Sequence, residues 1–211
     1  MRLFAAVRPP EHVLLHVQRA MAGVAELAGE AGVRWSAPEN LHLTLAFFGE
    51  VPPGRQEELG GLLAAVARTT APFSLALRGA GIYGGRTLWI GVGGQVGAMV
   101  DLAAAAREQG ERVSRFRDSR PRMRPHLTIG RIAPTRAAPG PGGGGGSGPR
   151  RTRSARLLPQ AEHLVRALAV YEGPTWLVEE MLLESSVPGA GPGGGPRYEI
   201  VQRAPLGAVA G

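Results

Sequence analysis

Two short units carry the side chains best suited to chemistry: His42-Leu43-Thr44-Leu45 and His126-Leu127-Thr128-Ile129, 84 residues apart. Each lies in an apolar run that reads as a strand. Alternate side chains of a strand share a face, so His42 and Thr44 project together while Leu43 and Leu45 project into a core. The same holds for His126 and Thr128 against Leu127 and Ile129. If the two strands face one groove, two imidazoles and two hydroxyls converge there. One neutral and one protonated imidazole, titrating near the ordinary value of about 6.5, can take a proton from water and give one to a leaving oxygen. The hydroxyls can donate to non-bridging oxygens as charge builds on a phosphorus centre. A lone strand histidine is usually a hydrogen-bonded structural residue, but two copies of one His-x-Thr unit favour chemistry, with phosphodiester hydrolysis the natural candidate.

Neighbouring residues add to the site. Arg124 lies two residues before His126 and so on the same strand face, where a cation favours the neutral, proton-accepting imidazole. Glu39 and Glu50 flank His42. Phe48, in phase with His42 and Thr44, is a candidate to stack on a base at the groove edge. Arg131 completes the second unit, but simple alternation puts it opposite His126, so it needs a β-bulge to reach a phosphate. Two competing motifs are weaker. Gly-Val-Gly-Gly-Gln-Val-Gly at 91–97 imitates a dinucleotide turn with its third glycine one position late. His12 and His16 are four apart on a helix, without the glutamate of a zinc protease or a third ligand.

Composition narrows the chemistry. There is no cysteine among the 211 residues, which removes disulfides, thiolate nucleophiles and Cys-based metal sites. All 24 basic residues are arginine, which removes lysine Schiff bases and a Walker lysine. Residues 107–166 hold 14 Arg against four acids, while the rest of the chain holds 10 Arg against 13 acids. Such a basic region suits a phosphate-bearing partner, since guanidinium forks match phosphate oxygens. No apolar run approaches the roughly 18 residues of a membrane span, and the run before Arg8 is too short for a secretory signal, so a cytoplasmic protein without membrane association is expected.

The elements that must position these residues follow from periodicity. Strands are predicted at Leu3–Val7, Leu41–Phe48, Phe73–Leu77, Thr87–Val92, Pro125–Ile132, Thr175–Glu184 and Tyr198–Gln202, and helices at Glu11–Ala28, Glu57–Ala67, Val96–Val113 and Ala161–Ala169. The result is an α/β (α+β) chain whose repeated motif suggests two similar lobes. The low-complexity stretches 137–156 and 188–196 are predicted to be loops, the first disordered and the second joining a hairpin.

HLTLAFFGEV at 42–51 and RPHLTIGR at 124–131 resemble the paired HxTx motifs of the 2H (two-histidine) phosphoesterases, in particular the bacterial and archaeal RNA 2′,3′-cyclic phosphodiesterases, formerly called 2′-5′ RNA ligases. RLFAAVRPP, RWSAPENLHLTLAFFGEV, GAGIYGGRTLWIGV, TWLVEEMLLESS and RYEIVQRAPL extend the resemblance in the family's order, while the Gly/Arg loop at 137–156 departs from it. The resemblance implies one 2H domain over 1–211, with two pseudo-symmetric antiparallel sheets lining a groove, helices outside, and no metal or nucleotide cofactor. It implies that His42 donates a proton to the 3′ oxygen and His126 accepts one from water; Thr44, Thr128, Arg124 and Arg131 are the candidate phosphate contacts from the residue reading above. The implied substrate is RNA ending in a 2′,3′-cyclic phosphate, or tRNA fragments or cyclic nucleotides, turned over by a monomer to a 2′-phosphate. Reverse 2′-5′ ligation would be minor in dilute water. The reading of a different class is a non-catalytic RNA-binding module.

Overall fold

The computed structural model describes residues 1–114, 116–117, 124–132 and 159–207, so the predicted 137–156 loop lies outside the described residues. Among the described residues nine strands form: β1 (Arg2–Val7), β2 (Val33–Trp35), β3 (Leu43–Glu50), β4 (Phe73–Tyr83), β5 (Thr87–Gly94), β6 (His126–Ile132), β7 (Glu172–Val178), β8 (Glu180–Val187) and β9 (Arg197–Pro205). The α-helices among the same residues are α1 (Glu11–Gly23), α2 (Ala25–Glu30), α3 (Gln56–Thr69), α4 (Val96–Val113) and α5 (Pro159–Ala169).

The strands run in the order β7-β4-β5-β6-β3-β1-β8-β9, all neighbours antiparallel, with β2 paired to β6. The order has an internal symmetry. Outward from the centre, β3-β1-β8-β9 mirrors β6-β5-β4-β7, and the halves meet at one residue pair, Leu43 opposite Leu127. These leucines are the central residues of the two His-Leu-Thr units, so the seam of the fold is also the place where the motifs face each other. The two expected sheets are thus halves of one continuous ladder.

Each half is covered by amphipathic helices. α3 and α4 pack on the β3-β1-β8-β9 half and α1 and α5 on the other. α1 buries Val13, Val17 and Met21, and α3 buries Leu59, Leu63 and Ala67, each set spaced four residues apart as a single helical stripe requires. Leu43 and Leu127 are fully buried, which turns His42, Thr44, His126 and Thr128 away from the core.

Three elements differ from the sequence expectation. The helix expected over Glu11–Ala28 breaks after Gly23, where Val24 leaves helical geometry at φ −118° and ψ 18°. The strand expected over Thr175–Glu184 is two strands, because Glu179 ends one edge of the sheet and starts the crossing to the other half. β2, three residues long, gives too little pattern to be read and exists by pairing with β6. The 188–196 stretch does join the β8–β9 hairpin, through a single helical turn at Pro192–Gly194. Among the described residues no helix is long and apolar enough to cross a membrane.

Candidate active site

Each histidine is oriented by a carbonyl two residues upstream. His42 Nδ1 lies 2.8 Å from the Asn40 carbonyl oxygen and His126 Nδ1 lies 2.7 Å from that of Arg124. A carbonyl oxygen only accepts, so Nδ1 carries the proton in both rings and any further chemistry belongs to Nε2. His42 Nε2 is 3.1 Å from Thr44 Oγ1, which joins the two polar members of the first unit. Aromatic rings hold both imidazoles edge-on: Tyr198 at 5.1 Å and 90° against His42, Tyr83 at 5.0 Å and 84° against His126. Phe4 packs on His42 at 5.0 Å and Trp89 stacks behind Tyr83.

Burial pushes the His42 imidazole below its ordinary value, against the opposing pull of the Glu184 carboxylate and the Asn40 carbonyl; Arg8 and His126 lower it further. The acids expected near His42 are not the ones it feels. Glu50 sits at the far end of β3, exposed and tied to Arg2 at 3.0 Å and the Met1 amino group at 3.2 Å. The carboxylate that acts on His42 is the fully buried Glu184 of β8, gripped by Arg8.

Beyond the threonines both motif strands bulge. Along β1 and β3, Ala6 pairs with Thr44 but Ala5 pairs with Ala46, so one extra residue enters β3 at Leu45. Along β5 and β6, Trp89 pairs with Thr128 but Leu88 pairs with Gly130, an extra residue at Ile129. The bulge that Arg131 needed is therefore present, and Arg131 lines the groove. The same device overturns the assignment of Phe48. After the β3 bulge the phase shifts by one, Phe48 is fully buried, and a Cβ on Gly110 of α4 would overlap its ring. Phe47 takes the groove position instead, 41% exposed, with Phe4 behind it at 6.0 Å. Phe47 and Arg131 are thus the matching residues of the two halves, an aromatic ring facing a cation.

The groove encloses about 1330 Å³, more than the roughly 300–1,000 Å³ of clefts that take drug-sized ligands. Both histidines and both threonines line it, and among the described residues four arginines with them: Arg34 of β2, Arg107 of α4, Arg124 and Arg131. Among the described residues none that lines it is acidic. Arg34 stands directly opposite Arg131 in the β2–β6 register, a like-charge pair that disfavours the sheet on its own and suits an anion between the two. The Pro/Gly turn after β8 closes one side through Pro192, Gly195 and Pro196. Among the described residues no group of three or more His, Asp or Glu is placed to hold a metal, and His12 and His16 of α1 lie outside the groove, with His16 bonded to Tyr171. Sequence reasoning missed Arg34, Arg107, Tyr83 and Tyr198, whose places depend on pairing between distant strands and leave no local signature.

A family model described as LigT-like phosphoesterase matches residues 7–92. An RNA 2′,3′-cyclic phosphodiesterase of Methanothermobacter thermautotrophicus is 33% identical over 135 residues, covering 62% of this chain and 71% of that protein. The protein of the same name from Archaeoglobus fulgidus is 34% identical, covering 63% and 73%. One from Geobacillus stearothermophilus is 43% identical over 101 residues, 46% of this chain, and the match spans only 32% of that longer protein. Among solved structures, apo Escherichia coli LigT superposes with a TM-score of 0.68 at 25% identity, covering 97% of this chain and 96% of that one. E. coli LigT complexed with 3′-AMP superposes with a TM-score of 0.67 at 26% identity, covering 97% of both. With both His-x-Thr units facing one arginine-lined groove and the two archaeal relatives matched over more than two thirds of their length, the chain belongs to the LigT-like phosphoesterase family.

Proposed function

We propose that this protein hydrolyses RNA 2′,3′-cyclic phosphate ends to 2′-phosphomonoesters by two-histidine acid–base catalysis. The observation that carries the reading is the pairing of Leu43 with Leu127, which sets two His-x-Thr units against each other across a groove lined by arginines. His126 accepts a proton from water as its oxygen bonds to phosphorus; the bond to the 3′ oxygen breaks and His42 donates the proton that oxygen takes. Thr44 and Thr128 donate to the non-bridging oxygens, and Arg124 and Arg131 balance the charge that grows there. Burial favours the neutral form of His42, and an anionic phosphodiester beside it favours the imidazolium, so substrate binding and proton uptake by this ring support each other. Arg34, facing Arg131, is set to take a further phosphate of the chain.

The test is a short RNA ending in a 2′,3′-cyclic phosphate, with the product end identified. A 2′-phosphate is expected, at an undiminished rate in EDTA, because the groove's donors are imidazoles, hydroxyls and guanidinium groups. A 3′-phosphate product, or activity lost in EDTA and restored by a divalent ion, sinks the mechanism, and tight binding without turnover points to an RNA-binding module.

The groove position of Phe47 gives a second test. Phe47→Ala should leave stability nearly unchanged and weaken binding of a cyclic nucleotide by roughly 1–3 kcal/mol, the usual worth of a base stacked on an aromatic ring. Phe48→Ala should do the reverse, costing about 3–5 kcal/mol of stability through the cavity it opens against α4. Paired melting curves and KM values decide it, and the reverse pattern would return Phe48 to the groove.

A further inference from the structure

His42 stands just outside the ladder it serves. β3 begins at Leu43, which pairs with Val7 and with Leu127, whereas His126 lies within β6 and pairs with Gly91. The second histidine is therefore held by strand pairing and the first is not. What precedes His42 is one helical turn, Pro38–Asn40, and the carbonyl of its last residue, Asn40, fixes the ring at Nδ1.

That turn is tied down by an ion pair whose carboxylate is buried. Glu184, with no exposed surface, accepts two hydrogen bonds from Arg8, from Nε at 2.9 Å and from Nη2 at 2.7 Å. The third arm of the same guanidinium, Nη1, reaches the carbonyl of Glu39 at 2.5 Å. From the other side Asn40 Nδ2 donates to the Pro196 carbonyl at 3.0 Å. A connected path thus runs from Glu184 through Arg8 and the Glu39–Asn40 peptide to His42 Nδ1. A buried ion pair is weak evidence for stability, since apolar residues of similar volume often replace it without loss. The planar fork of arginine is suited to hold three acceptors in one geometry.

We propose that the Arg8–Glu184 pair is a positioning device for His42: it fixes the turn whose carbonyl sets the tautomer and direction of that ring, so that Nε2 presents its proton to the leaving oxygen. The inference rests on the hydrolysis proposed above, but the tautomer can be read without any substrate. Catalysis is sensitive to such placement, because an error of about 1 Å can cost on the order of 10²-fold in rate.

The decisive variant replaces both partners, Arg8→Met with Glu184→Leu, which removes the path without leaving a buried charge. Expected are a melting temperature near that of the native protein, kcat for a cyclic phosphate lower by about 10- to 100-fold, and KM within about twofold. In ¹⁵N spectra of the free protein His42 should change from a single Nδ1–H tautomer to a mixture. Arg8→Lys keeps the charge but loses the fork, and should fall between the two in kcat and in tautomer ratio. It decides the matter if the double variant does not fold. A folded double variant, or Arg8→Lys, with native kcat and one tautomer overturns the proposal. If the native protein does not turn over a cyclic phosphate, the hydrolysis reading fails and the tautomer spectra still decide whether Arg8 and Glu184 set the ring.

Discussion

His42→Ala and His126→Ala, assayed on a short RNA ending in a 2′,3′-cyclic phosphate, should each lower kcat by roughly 10² to 10⁴, the usual worth of one positioned acid or base. KM should change far less, because the arginines that line the groove remain in place. The pH profile separates the two roles. Burial holds His42 below its ordinary value of 6.5 in the free protein, so the protonated fraction of this acid is already falling as pH approaches that value from below. kcat/KM, which reports the free enzyme, should therefore decline between about pH 6 and pH 8. Bound phosphate favours the imidazolium, so the matching limb of kcat should lie at higher pH. In His42→Ala that limb should vanish from both profiles. A kcat/KM that climbs through this range, or an unchanged limb in His42→Ala, removes His42 from the acid role. The same depressed value has a stability sign. A histidine that folds in its neutral form contributes stability above about pH 6.5, lost as pH falls through its folded value.

The reactive pair was legible because a period of two places the first and third residues of each His-x-Thr unit on one face, and the structure keeps that phase up to Thr44 and Thr128. Past those residues the phase is lost. One extra residue at Leu45 exchanges Phe47 for Phe48, and one at Ile129 turns Arg131 into the groove. The need for a bulge was visible at Arg131, whose charge makes a core position untenable. It was invisible at Phe48, because phenylalanine fits either face. Helix α4 matches its periodic run end to end, since its buried stripe from Met99 to Val113 is unbroken. The grip on His42 was not legible at all. Arg8 and Glu184 are 176 residues apart, and a glutamate in the run Leu-Leu-Glu-Ser-Ser gives no sign of being the one that is buried. Charges near His42 in sequence, Glu39 and Glu50, stood in for it wrongly. Glu39 enters the site through its backbone carbonyl and Glu50 caps the far end of the strand.

Arg8→Met alone should be among the most destabilising single substitutions in the chain, by about 3–5 kcal/mol, because it leaves the Glu184 carboxylate fully buried without a partner. For a chain of this size each kcal/mol lowers the melting temperature by about 2–4 °C, so a drop of roughly 6–20 °C is expected. Glu180 supplies the internal comparison. It lies on the same strand, paired with Arg203, yet the two side chains are 40% and 58% exposed. Arg203→Met should cost less than about 1 kcal/mol, since water replaces what the ion pair supplied. Thermal melts of the two variants test both statements. Equal, small losses would mean that Glu184 reaches water once Arg8 is gone, and that the pair does not hold the turn beside His42 rigidly.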